Sequence, residues 1–435
     1  MKKILSLSVL LALAPSLAAA QAGSETTEQM VDRYAAKIYR DTRAVGMVMV
    51  AVRGNETFQR FQGQTKPGNR QPPDTDTVVR LASVSKTMTG EVLAALAQDR
   101  KVSLNDPLQK YAPAGFAMPA GAQSITLLNL ATHTSGFPRE MPGNKPENTP
   151  VFVWPDRQQR WDWLANNKSK YAAGNHAQYS NLAFDFLADA LAVATGRPYA
   201  ALLRDKVTAP LGMKDTTLTP NASQCARLME GYGASPCLDT TAASGSGGIY
   251  STPRDMQRWL QDLVQPQNPA RRQLHEQIFQ MHYKRNDLRY LRGMDVAGQA
   301  DDLGLAWIRM EPSARAPEII QKTAGGGGFI GYVAIAPKQN VAVWVSLTRS
   351  GGTHFGNMSN GVNQLVAEMS GFQPVAAVKP AAARKKTVIA PKQQLTSAKK
   401  KAAAPKKKAA AKSAPKAKAK PAARKAAAHK AKKAQ

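Results

Sequence analysis

Acidic residues run out at Glu368, and no position after it carries a side-chain carboxylate. Lysine, alanine and proline dominate from there, and residues 379–435 hold about twenty positive charges of the net +29, leaving about nine for the rest of the chain. Such a run cannot bury enough apolar surface to fold, and its self-repulsion predicts a disordered basic tail over residues 373–435. Long hydrophobic runs are also scarce. Residues 4–17 form one, preceded by Met1-Lys2-Lys3 and followed by Ala18-Ala19-Ala20-Gln21. A basic start, a short apolar core and small residues before a polar one predict a signal peptide over residues 1–20, cleaved after Ala20 or Ala22. Nothing later is long enough to span a bilayer. Behind such a leader, nucleic acid is a disfavoured partner for the tail. Anionic phospholipid head groups and acidic envelope polymers are nearer, and a solubilising extension with no partner is the alternative.

Cysteine is limited to Cys225 and Cys237. Their closeness, with Gly231, Gly233, Ser235 and Pro236 between them, predicts one disulfide closing a short loop; two free buried thiols are the alternative. Neither these cysteines nor the six histidines have metal-ligand spacing, so no metal or other cofactor is expected. A Gly-x-Ser-x-Gly nucleophile elbow is missing too, which makes His133 a structural loop residue rather than the base of a Ser-His pair.

Residues 21–372 remain as the folded part. Apolar periodicity predicts a helix over 24–39 capped by Ser24, a hairpin of strands 45–52 and 57–62, a short helix over 126–132, a longer apolar one over 182–194 and another over 254–263. Strand character returns at 304–310, 318–323, 329–336 and 341–348, and a last helix covers 357–369. Strands at both ends with helices between them imply an α+β fold. One antiparallel sheet is flanked by terminal helices, a mostly helical lobe is inserted, and a cleft lies between sheet and lobe.

Three motifs would meet at that cleft. Ser83-Val84-Ser85-Lys86 follows a β-branched run, Thr77-Val78-Val79, and opens an amphipathic pattern. It puts a hydroxyl at a helix start and an amine one turn later on the same face. The spacing alone is weak, since Ser397/Lys400 and Ser413/Lys416 share it, and an ordinary helix cap is the alternative. Tyr179-Ser180-Asn181 occurs once, just before the 182–194 helix, where Asn181 as its cap is the alternative. Lys322-Thr323-Ala324-Gly325 ends a strand whose small residues would let a substrate backbone lie alongside; a flexible hairpin connection is the alternative.

The order and spacing of these motifs, with His133-Thr134-Ser135-Gly136 and the stretch from Pro210 to Thr216, resemble the serine β-lactamase and penicillin-binding-protein superfamily, in its class C branch. Phe152-Val153-Trp154-Pro155, Tyr179 to Asp185 and Gln321 to Ile330 are similar to the AmpH-type D-alanyl-D-alanine carboxypeptidase/endopeptidases within it. The resemblance covers nearly the whole folded part. It implies a β-lactamase/transpeptidase-like fold and a periplasmic enzyme acting on peptidoglycan peptides and acylated by β-lactams. Ser83 would be the nucleophile, with Lys86 and Tyr179 sharing its proton. Asn181 would hold the substrate amide, Lys322 and Thr323 the terminal carboxylate, and the backbone amides of Ser83 and Gly325 the oxyanion. Ala324 departs from the glycine usual at that position, so its methyl would narrow the groove or shift the strand. A class C-like β-lactamase or esterase is the rival enzyme reading. A non-catalytic envelope-binding protein is the rival of another kind. Oligomeric state is left open.

Overall fold

The structure, a computed structural model, describes residues 25–372 apart from 144, 167–171, 295–297 and 299. The expected leader over 1–20 and tail over 373–435 lie outside the described residues.

Among the described residues, eight strands form one antiparallel sheet: β1 (Gly46–Arg53), β2 (Glu56–Gly63), β3 (Met281–Lys284), β4 (Asp302–Gly304), β5 (Ile308–Met310), β6 (Ile319–Gly326), β7 (Phe329–Ala336) and β8 (Val341–Thr348). Their lateral order is β2-β1-β8-β7-β6-β5-β4-β3. The first hairpin of the chain therefore lies against its last strand, with Gly46 opposite Thr348 and Arg53 opposite Val341. Everything between β2 and β3 is an insertion, which is the expected arrangement.

Five helices position the site: α1 (Thr27–Thr42), α2 (Ser85–Gln98), α3 (Asn181–Thr195), α4 (Pro253–Val264) and α5 (Phe355–Met369). Strand periodicity distributes them. Met47, Met49 and Ala51 of β1 join Val31, Tyr34 and Ile38 of α1 and Met358, Val362 and Leu365 of α5 in one apolar cluster. Val48, Val50 and Val52 point the other way, into a cluster with Met88 and Val92 of α2 and Trp259 of α4. Both faces of the sheet are thus covered.

Helix starts follow local chemistry. The cap of α1 is Thr26 rather than Ser24, which lies outside the described residues: Thr26 Oγ1 accepts from the Gln29 amide at 3.2 Å, and Gln29 returns a bond to the Thr26 amide at 2.9 Å. That reciprocal box satisfies two donors a helix start otherwise leaves open. Helix α2 is buried at every position from Ser85 to Leu96, the pattern of a helix enclosed by the core rather than lying on it. Gly90 lets it approach the sheet, since a Cβ there would come within 2.7 Å of the Leu305 carbonyl oxygen.

One expected strand is broken. Residues 304–310 form the ends of β4 and β5 joined by a tight turn, in which Ala306 takes a left-handed φ of 68° and the Gly304 amide donates to the Trp307 carbonyl at 2.9 Å. The turn presents the Trp307 ring to Trp259, 6.1 Å away and nearly parallel. Because the turn residues are as apolar as the strands, nothing in the alternation marks the reversal.

Candidate active site

Ser83 lies where a strand becomes a helix. Val79–Arg80 pairs with Tyr250–Ser251, a shorter strand than the 77–79 run suggested. Arg80 is buried and donates to the carbonyls of Ser235 and Pro236 at 3.0 and 2.5 Å. Ala82 then turns the chain at a φ of 44°, and a 3₁₀ turn over Ala82–Val84 carries Ser83 before α2 begins. Val84, not Ser83, occupies the N-cap position of α2. The hydroxyl is therefore not spent on capping and turns to Tyr179 and Lys86.

Lys86 is fully buried. Its Nζ donates to Asn181 Oδ1 at 2.6 Å and to the Ser246 carbonyl at 2.5 Å, and lies 3.4 Å from Ser83 Oγ. Three acceptors match the three protons of an ammonium, but burial opposes the charge and pushes the amine down to about 7, against the pull of Asp185 and Glu140. Tyr179 donates from its phenol to Ser83 Oγ at 2.5 Å. Its ring stacks on His133 at 4.6 Å, with Lys86 Nζ and Lys322 Nζ each 4.9 Å and Arg139 Cζ 4.7 Å from the ring centre. Cations around an aromatic face hold it by its quadrupole.

The dipeptide after Tyr179 divides two tasks. Ser180 is the cap of α3: its Oγ accepts from the Ala183 amide at 2.9 Å and donates to the Pro138 carbonyl at 2.6 Å. Asn181 is thereby released from the capping role, and its side chain bridges Lys86 and Glu140. His133 supports the same corner, with Nδ1 accepting from the Ser180 amide at 3.1 Å. Burial, with Lys322, Lys86 and Arg139 nearby, drives its pKa well below the usual value, so it is a neutral strut.

Strand β6 forms the facing wall. Its ladder with β7 continues to Gly326, whereas that with β5 ends at Gln321. Lys322 and Thr323 are buried just past that point. Ala324 pairs with Gly331 and Gly325 with Ile330, in unbroken register. The strand therefore keeps its register through Ala324, which lines the cleft. Ser83, Arg139, Tyr179, Thr323, Ala324 and Gly325 line a cleft of about 310 Å³, with Ile330 and Phe355 as its apolar side. A cavity of about 800 Å³ lies elsewhere, along residues 198–224, and contains none of these groups. Among the described residues no cluster of His, Cys, Asp and Glu has the make-up of a metal site.

Comparisons with known proteins bear on the fold that carries this serine, lysine and tyrosine. The family model described as "Beta-lactamase" matches residues 27–368. The chain belongs to the β-lactamase family. The D-alanyl-D-alanine-carboxypeptidase/endopeptidase AmpH of Escherichia coli K12 is 50% identical over 382 residues, covering 86% of this chain and 99% of the relative. A crystal structure of a β-lactamase/D-alanine carboxypeptidase from Yersinia pestis, complexed with citrate, shares 53% identity at a TM-score of 0.76, over 79% of this chain and 98% of that one. A class C β-lactamase from Rhodobacter sphaeroides has the same fold at 19% identity and a TM-score of 0.63.

In this β-lactamase-family cleft the structure brings Ser83, Lys86, Tyr179 and Asn181 together and sets Thr323 and Gly325 in the same wall. Cys225 and Cys237 are disulfide-bonded. Sequence reasoning missed Ser246, Asp185, Arg139 and Glu140. Ser246 contributes a backbone carbonyl, which no side-chain motif encodes. The run Gly245-Ser246-Gly247-Gly248 was the available signal, because a Cβ at Gly245 would stand 1.9 Å from the Phe184 carbonyl oxygen.

Proposed function

We propose that the protein is a serine DD-carboxypeptidase/endopeptidase that cleaves D-Ala-containing peptidoglycan peptides through an acyl-enzyme on Ser83. The observation that carries this reading is the convergence of Tyr179 Oη and Lys86 Nζ on Ser83 Oγ at the mouth of a cleft walled by β6. Ser83 Oγ attacks the carbonyl carbon of the scissile peptide, and its proton passes to the Lys86–Tyr179 pair. The tetrahedral oxyanion rests on the backbone amides of Ser83 and Gly325. Collapse breaks the C–N bond, and the departing amine takes the proton from the same pair. Water then attacks the ester, returning the proton to Ser83. Asn181 holds the substrate amide and orients Lys86, while Lys322 and Thr323 bind the terminal carboxylate, a selectivity suited to a carboxypeptidase. A β-lactam opens by the same attack, so the protein is a penicillin binder as well.

The rival enzyme reading, a β-lactamase or esterase, has the support of the family members that carry that name. It differs only in how fast water reaches the acyl-enzyme. Purified protein, native and Ser83→Ala, incubated with fluorescent penicillin should be labelled only when Ser83 is present. Turnover of muropeptides exceeding that of a chromogenic cephalosporin is expected. Unlabelled native protein would reject both enzyme readings, and rapid cephalosporin turnover with inert muropeptides would select the rival. Export by residues 1–20 places this activity in the periplasm, and the basic run over 373–435 ties it to anionic surfaces of the envelope.

A further inference from the structure

The carboxylate of Asp185 takes no part in the chemistry above, yet it is buried and one residue removed from Lys86. It lies on α3 one turn after Asn181, on the same helix face. Asp185 Oδ1 accepts from the Ser246 amide and Oδ2 from the Ser246 hydroxyl, both at 3.0 Å. The carbonyl of that same serine accepts from Lys86 Nζ at 2.5 Å. Helix α3 therefore grips the lysine twice, directly through Asn181 and indirectly through Asp185 and Ser246. The intervening loop has little room to drift. A Cβ at Gly245 would overlap the Phe184 carbonyl, and one at Gly247 would stand 2.5 Å from the Phe152 ring.

We propose that Asp185 is a positioning residue for Lys86, fixing through Ser246 the carbonyl that orients the amine and setting a buried carboxyl group behind it. The proposal rests on the reading of Ser83 as nucleophile and Lys86 as its proton acceptor. Other charged groups bear on the pair from each neighbouring element. Arg160 and Asp189 stand behind Asp185, joined to each other by bonds of 2.7 and 2.8 Å. Tyr199 is close enough to feel its charge. Arg139 and Glu140 act on Lys86 from the loop that follows His133, and Lys322 reaches the Tyr179 ring from β6. Of the carboxylates, Asp185 pulls Lys86 towards its charged form more than Glu140 does. Burial resists charge on both partners, lowering the amine and raising the acid.

The test is the rate of fluorescent-penicillin labelling against pH, in full-length native protein, Asp185→Asn and Ser246→Ala. Removing the charge at 185 lets Lys86 give up its proton more readily, so the acidic limb moves down by about one pH unit, and the plateau falls roughly tenfold as the amine loses its fixed geometry. Ser246→Ala keeps the carbonyl and cuts one bond to the carboxylate, so the limb moves the same way by less. A lowered plateau with an unmoved limb, or a limb moved upward, overturns the proposal. If Asp185→Asn does not fold, Ser246→Ala decides by the same criteria. Native protein that is unlabelled at every pH overturns the Ser83 reading instead.

Discussion

Tyr179 donates from its phenol to Ser83 Oγ at 2.5 Å, while Lys86 stands 3.4 Å from the same oxygen. Two groups converge on one oxygen, so neither works as an independent base. Tyr179→Phe and Lys86→Ala should each slow acylation by penicillin by about 10²–10⁴-fold. The double variant should lose little more than the worse single one, because residues acting as a unit are not additive. Stopped labelling time courses on the four proteins check this; losses that multiply would mean two separate roles.

The pH dependence follows from burial. Lys86 is held down to about 7 because its cavity disfavours charge, and only the free amine can accept the proton of Ser83. Acylation should therefore rise as pH climbs through about 7 and be lost below it, well under the pH at which an exposed lysine deprotonates. Initial labelling rates across that interval measure it. A limb near the ordinary lysine value would show that burial does not lower the Lys86 amine in this way.

How much of this was legible beforehand depends on whether side chains or backbone do the work. β1 announced itself as an apolar run buried on both faces, and α5 through the helical spacing of Met358, Val362, Leu365 and Met369 on its buried side. Tyr179-Ser180-Asn181 was visible as a motif, but the division of labour within it was not. Ser180 rather than Asn181 caps α3, and only the three-dimensional demand of Lys86 explains why. The β4–β5 reversal was hidden because Ala306 adopts a left-handed φ without glycine or asparagine to signal it. Asp185 was concealed in a mostly apolar helix, where it and Asp189 one turn later read together as a polar face. Ala324 could be named as a departure but not interpreted until its pairing with Gly331 was seen.

The disulfide loop should matter to the nucleophile as well as to stability. Cys225 and Cys237 are bonded across a separation of 12 residues, and Arg80, three residues before Ser83, donates to the carbonyls just ahead of Cys237. Replacing both cysteines by serine should cost about 2–3 kcal/mol through the freed unfolded chain. Urea unfolding of the variant against native protein under non-reducing conditions gives that number. Labelling by penicillin should slow at the same time, since the loop that receives Arg80 is loosened. Unchanged labelling in a destabilised variant would separate the loop from the site.

The basic run carries the remaining prediction. It holds about twenty positive charges and no acidic ones, so its attraction to a surface of negative charge is Coulombic and must weaken as salt shortens the screening length. The family model matches residues 27–368, which leaves the run outside the matched part. Deletion after Gly371 should therefore leave kcat and KM on small substrates unchanged. The same deletion should abolish binding to vesicles rich in anionic phospholipid or to isolated sacculi, and native binding should fall steeply between about 50 and 200 mM salt. Neutral vesicles serve as the control, because attraction to a fatty interior would persist there and be indifferent to salt. A binding curve that the deletion does not alter would remove the tether and leave the run as a solubilising extension.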